Sequence, residues 1–220
     1  MRFILKQIRK LRFRGKPLAF IFSEFYRKNL WGGANSKSGA GSDFIQTARI
    51  RRELPLLFRR VNVKSLLDAA CGDFHWMQDT ELGLIKYTGI DVVPDLIAQN
   101  QRNHNNERRK FINLNIIEDD LPCVDIILCR DCLVHFSFRH IISTIRNFKR
   151  TGSKYLLATT FTNLLKNKDV TTGGWRPLNL QLPPFNFPEP VELIYERCTE
   201  ANAKYSDKNL GLWKLEDIRI

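Results

Sequence analysis

The chain has 220 residues, 43% hydrophobic and 26% charged, enough for one sizeable domain with a buried core and unlike a disordered or low-complexity sequence. No apolar run approaches the roughly 20 residues of a membrane span, and the five cysteines, scattered through apolar segments, read as reduced thiols rather than a disulfide framework. The net charge of +12 is uneven: residues 1–30 hold nine Lys/Arg against Glu24, leaving +4 to the other 190, so the basic character belongs to an N-terminal appendage.

Residues 2–13, RFILKQIRKLRF, place Ile4, Ile8 and Leu11 on one face of a basic amphipathic helix. Pro17 opens a second helix to about Leu30. Such a segment can pack on the domain, lie on an anionic membrane surface, or grip nucleic-acid phosphates. LAFIF (18–22) is shorter than the ~7–15-residue core of a signal peptide, so the expectation is a cytoplasmic protein, with residues 1–30 able to touch the inner membrane face. WGGANSKSGAGS (31–42) is a Gly/Ser/Asn loop that serves as a lid or as a plain linker. No strand precedes it and no Gly-Lys-Ser/Thr closes it, so it is not a phosphate cradle. Ser42 or Asp43 caps a helix over 43–60, in which Pro55 introduces a kink or a break.

From residue 63 strands and helices alternate. Strands are predicted at 64–70, 87–93, 109–115, 124–130 and 154–161, with helices near 74–82, 94–105 and 137–149. This rhythm predicts a mostly parallel sheet with helices on both faces. After a long Asn/Pro-rich connection (162–190), VELIYERC and LGLWKLEDI supply two closing strands. The division expected is an appendage at 1–30, a loop and covering helix at 31–60, and a main domain at 61–220.

Open parallel sheets bind ligands outside the carboxyl ends of their strands. Those ends carry Asp68, the Ala70–Cys71–Gly72 turn, Asp91, Asn115, Arg130 and Asp131. A dinucleotide loop needs G-x-G-x-x-G, and here Ala70, Gly72 and His75 occupy the three positions; Asp68 would also repel a pyrophosphate. A phosphate-free, cationic cofactor reverses that argument, since a carboxylate beside the turn then attracts it. S-adenosylmethionine carries a sulfonium, an ammonium and a ribose diol, and Asp91 stands where a diol-binding acid belongs. Cys129, Cys132 and His135 have metal-ligand types at close spacing, but no fourth ligand accompanies them.

The run LLDAACGDF, YTGIDVV, FINLN, LPCVDIILCRDCLVHF and KYLLATTF, roughly residues 60–161, resembles the class I S-adenosylmethionine-dependent methyltransferases. The resemblance implies a Rossmann-like α/β fold with a closing antiparallel strand. It places Asp68, Ala70, Cys71 and Gly72 at the methionine part of the cofactor, Asp91 at the ribose, Asn115 near the adenine, and Arg130 and Asp131 beside the methyl group. The chain departs from the family pattern at Ala70 and Phe74, where glycines are usual, and at Asn115, where Asp is commoner. The resemblance implies methylation, with O-methylation of a small molecule or saccharide expected. The alternatives are an RNA methyltransferase using the basic N-terminus and a non-catalytic binding module of the same fold. A hydroxyl acceptor needs a base, for which Asp131 and His135 are the candidates. Trp175, Arg176 and Asn179, in TTGGWRPLNLQLPPF (171–185), are expected to meet the acceptor.

Overall fold

The computed structural model describes Phe13 and residues 15–220. Seven strands form one sheet in the order β3-β2-β1-β4-β5-β7-β6. They are β1 (Ser65–Ala69), β2 (Lys86–Asp91), β3 (Arg109–Asn113), β4 (Ile126–Cys129), β5 (Tyr155–Phe161), β6 (Glu192–Tyr195) and β7 (Lys208–Lys214). The first five are parallel, and β7 runs antiparallel between β5 and β6. This is the Rossmann-like methyltransferase architecture with an antiparallel closing strand. Strands 1 and 4 at its centre are buried along nearly their whole length, as uninterrupted apolar runs in a parallel sheet should be.

The helices are α1 (Leu18–Arg27), α2 (Phe44–Arg60), α3 (Pro94–His104) and α4 (Phe138–Arg150). Asp43 caps α2 by accepting from the Ile45 amide at 2.9 Å, and Ser137 caps α4 through the His140 amide at 3.3 Å. Pro55 lies inside α2 without dividing it. The helix expected at 74–82 is replaced by one 3-10 turn, Met77–Asp79. The reason is local: Gly72 and Phe74 both have positive φ, at 56° and 58°, which breaks the chain away from a helical start.

Phe74 accounts for that conformation. Its ring is buried edge-on against Tyr87 at 5.1 Å and Phe111 at 5.0 Å, beneath the guanidinium of Arg109 at 4.8 Å. Gly89 pairs with Asp68 on one side and Phe111 on the other, and a Cβ there would stand 2.7 Å from the Phe111 ring. A bare glycine in mid-strand thus makes room for the aromatic cluster.

The segment read as an appendage is, in its described part, built into the body. Leu18, Phe22 and Tyr26 of α1 join the main core, while Phe13, Ile21 and Phe25 form a second cluster with Leu30 and Trp31. The apolar stripe of α1 is therefore spent on the protein itself. The helix expected over 2–13 lies, Phe13 apart, outside the described residues.

Candidate active site

A pocket of about 920 Å³ opens above the carboxyl ends of β1, β2 and β4. Asp68, Ala70, Cys71, Gly72, Asp91, Asn115, Arg130, Asp131 and His135, all singled out in the sequence, line it. The right-handed crossovers of a parallel sheet bring these strand ends to one edge, which is why residues up to 67 positions apart meet there.

Asp68 is buried and accepts a 2.8 Å hydrogen bond from the Tyr87 hydroxyl. Burial outweighs that bond and pushes its carboxyl up to about 7, with Asp91 adding repulsion. Asp91 accepts from the Gly72 amide at 3.2 Å through one oxygen and from the Val93 amide at 3.0 Å through the other. Each oxygen retains a lone pair, and burial raises this carboxyl to about 6. Asn115 lines the pocket but also ties its own turn, its Oδ1 accepting from the Ile117 amide and its Nδ2 donating to Glu118.

Past the end of β4 the charges compensate one another. The buried Arg130 is paired with the buried Glu196 at 2.7 Å and donates to the Gly41 carbonyl at 2.9 Å. Lys208 bonds Asp131 at 2.5 Å and lies 3.4 Å from Glu196. Asp131 has a left-handed backbone, φ 52°, stabilised as its amide donates to Thr159 Oγ1 at 2.8 Å. Burial tends to raise the Asp131 carboxyl, but Lys208 and Arg130 together hold it below the ordinary carboxylate value.

His135 Nδ1 lies 2.8 Å from the Gly174 carbonyl. A carbonyl has no proton to give, so Nδ1 carries the hydrogen and Nε2 keeps its lone pair. Burial lowers the imidazole from its ordinary value, so the ring is neutral near pH 7.

A second, larger cleft of about 1950 Å³ adjoins the pocket and shares Trp31, Ser38, Ser42, Asp131 and His135 with it. Trp175 lines this cleft, 44% exposed, with its ring edge-on to Tyr205 at 4.9 Å. Arg176 and Asn179, also expected at the acceptor, line neither cavity. Both are buried and consumed by backbone: Arg176 donates to the carbonyls of Leu133, Phe136 and Lys168, while Asn179 accepts from Gln181 and donates to Leu164. A polar side chain in a Pro-rich connection has many unpaired carbonyls to satisfy, and these two do that work.

The sequence offered the 31–42 loop as a lid or a plain linker, but it did not single out the residues that cover the pocket. Leu18, Phe22, Trp31, Ser38 and Ser42 cover it, and Trp76 walls it with its ring 5.4 Å from the Arg130 guanidinium. Asp73 fastens the Gly/Ser loop down, accepting from Ser36 Oγ, the Lys37 amide and Ser38 Oγ at 2.8–3.0 Å and donating its own amide to Ser38 Oγ at 2.8 Å. Gly72 is required beneath it: a Cβ there would overlap Ser38 Oγ. The serines alternating with small residues before a conspicuous Asp73 were the available signal. Glu196, just past the end of β6, and Lys208, at the start of β7, gave a fainter one, as charges beside the apolar runs of the closing strands.

No protein-family model matches the chain, and no curated protein matches it in sequence. Solved structures do. The N-methyltransferase NodS from Bradyrhizobium japonicum WM9, in complex with S-adenosyl-L-homocysteine, superposes with a TM-score of 0.51 at 17% identity, covering 62% of this chain and 73% of that one. Human N-acetylserotonin methyltransferase in complex with S-adenosylmethionine gives 0.49 at 16% identity, over 69% of this chain and 44% of that one. The methyltransferase domain of a bacterial Hen1 protein gives 0.44 at 15%, over 52% of this chain and 66% of that one. The likeness to NodS shows a shared fold.

Proposed function

We propose that this chain, which has the Rossmann-like methyltransferase fold, is an S-adenosylmethionine-dependent methyltransferase acting on a small molecule or saccharide, with a hydroxyl as the methyl acceptor. The observation that carries the reading is the charge of the pocket: three carboxylates, Asp68, Asp91 and Asp131, face one arginine, Arg130. Arg130 and Asp131 are compensated within the network that includes Glu196 and Lys208, whereas Asp68 and Asp91 form no ion pair among the described residues. Two buried acids outside any such pair favour a cationic ligand and penalise a pyrophosphate.

S-adenosylmethionine fits that donor set, and when bound it supplies an electrophilic methyl group on sulfur. Asp68 and the Ala70–Gly72 turn would hold its ammonium end, the free lone pairs of Asp91 its ribose diol, and the side of the pocket near Asn115, with Leu96, Leu114 and Ile116, its adenine. Asp131 lines both that pocket and the cleft, and Arg130 lines the pocket beside it. The chain's own tasks in an in-line displacement are alignment and exclusion of water. The roof of Phe22, Trp31 and Ser38 serves the second. His135 serves as base: neutral, with Nε2 unprotonated, it can take the proton of an acceptor hydroxyl. Asp131, engaged by two cations, is a poor base and a fixed electrostatic wall instead.

The cleft favours a small acceptor over RNA. Among the described residues, Asp131, Asp169 and Glu200 line it against Lys208, an unfavourable lining for phosphate, and the Trp175–Tyr205 pair offers a stacking face for a ring. Titration calorimetry tests the reading. Wild type should bind S-adenosylmethionine and its demethylated product, and Asp91→Ala should weaken both about 100-fold, the loss of two charge-assisted hydrogen bonds. Silence of the wild type overturns the proposal.

A further inference from the structure

The segment Gly173–Arg176 is bonded to the loop after β4 at four successive carbonyls. Leu133 O accepts from Arg176 Nη1 at 2.9 Å, Val134 O from the Arg176 amide at 3.2 Å, His135 O from the Gly173 amide at 2.9 Å, and Phe136 O from Arg176 Nη2 at 2.7 Å. The His135 ring returns one bond, from Nδ1 to the Gly174 carbonyl. Both glycines are needed. Gly173 has φ 91° and a Cβ there would stand 3.0 Å from Ile21 of α1, while a Cβ on Gly174 would stand 3.0 Å from the Thr171 carbonyl. The Arg176 guanidinium is buried, and all three of its hydrogen bonds go to carbonyls. That fork is specific to arginine, because a lysine ammonium cannot span the Leu133 and Phe136 carbonyls in one plane.

We propose that Arg176 is a positioning residue: by clamping both ends of the 133–136 loop to the strap, it sets the Gly174 carbonyl on His135 Nδ1 and fixes Nε2 as the nitrogen that keeps its lone pair. The inference rests on the reading of His135 as the base. The guanidinium has a second effect of the same sign. Besides burial, Arg176 and Lys208 disfavour the imidazolium, while Asp131 and the Gly174 bond favour it, so Arg176 helps to keep the base unprotonated.

Nitrogen-15 NMR of the histidine side chains tests this in the full chain without any acceptor. In wild type at neutral pH, His135 should be a single tautomer, protonated at Nδ1. Arg176→Met should add the other tautomer to at least about a fifth of the population and raise the His135 titration midpoint toward that of an ordinary imidazole. Arg176→Lys keeps the charge without the fork, so the tautomers should mix while the midpoint stays low. A single Nδ1–H tautomer retained in both variants, or a wild type already mixed or protonated at Nε2, overturns the proposal. If Arg176→Met fails to fold, the wild-type spectrum and Arg176→Lys decide it. Calorimetry with S-adenosylhomocysteine on the same samples separates the two readings. Affinity should stay within about twofold of wild type, since Arg176 lines neither cavity. A parallel tenfold loss of affinity would show general structural damage and overturn the specific role. Silence in wild type would instead strike the methyltransferase reading and leave the tautomer result standing.

Discussion

The carboxylates ending β1 and β2 and the carboxylate ending β4 face the same pocket, but they are compensated differently. Asp68 and Asp91 have a hydroxyl and backbone amides for partners and are pushed up to about 7 and about 6 by burial. Asp131 has Lys208 and Arg130 beside it and is held down. Buried charge left uncompensated costs stability and awaits a ligand, whereas buried charge that is paired holds the fold. Substitutions on the β4 side should therefore cost stability, and changes on the β1–β2 side should cost binding.

The largest effect expected from that contrast is at Glu196. Its side chain is 1% exposed and pairs with Arg130 at 2.7 Å, with Lys208 3.4 Å away. Glu196→Ala leaves two buried cations with Asp131 as their remaining ion-pair partner among the described residues, and should destabilise the protein by about 3–5 kcal/mol. Denaturant unfolding reads this directly. A loss under about 1 kcal/mol would mean that the network is solvated and that the two sides do not differ in kind.

The β1–β2 side was legible in the sequence and the β4 side largely was not, for a reason of chain distance. Asp68 and Asp91 lie on two consecutive strands with Gly72 in the turn after the first, and the turn, the acids and the apolar runs are all local signals. All five parallel strands and four helices are likewise written in local periodicity. The cleft side joins α1, the Gly/Ser loop, residues 171–176 and two closing strands, and no local pattern says that Glu196 will meet Arg130 or that Ser38 will press on Gly72. Arg176 shows the same limit from the other direction. As a residue type it suited an acceptor contact, and only the three carbonyls its guanidinium meets reveal its use. The missing helix after β1 has the same cause: Phe74 takes a left-handed conformation for the sake of Tyr87 and Phe111, whose approach no window around it contains.

Acidity offers the next test, of intermediate size. The folded values of Asp68 and Asp91 lie above the ordinary 3.8, so the folded chain holds protons that the unfolded chain has released. Their contribution to stability is complete below about pH 4 and disappears as pH rises through 6 to 7. Asp131 has the opposite sign, contributing above the ordinary value and losing its contribution as pH falls through its own lowered value. Binding of a cationic ligand follows the ionisation of the first pair: affinity for S-adenosylmethionine should rise about tenfold from about pH 5 to about pH 8. Asp68→Asn should flatten the upper part of that rise. A flat wild-type profile would mean that the two acids are already ionised and that the contrast with Asp131 is absent.

The smallest expected effect is at the roof, where the two sides touch. Asp73 sits one residue beyond Gly72 yet binds nothing on the sheet; its carboxylate collects Ser36, the Lys37 amide and Ser38. These bonds are partly solvent-exposed, so their net worth is about 1 kcal/mol in total, far below that of the buried Glu196 network. Asp73→Ala should accordingly leave global stability nearly intact while freeing residues 36–38. Amide exchange there should quicken about fivefold, matching that energy. If this loop is a lid, S-adenosylhomocysteine should also leave about fivefold faster with its association rate little changed, because the bonds lost are those that keep the bound state covered. Faster exchange without faster release would make the loop a linker that lies over the pocket but does not retain its ligand, and the roof would then belong to Phe22 and Trp31 alone.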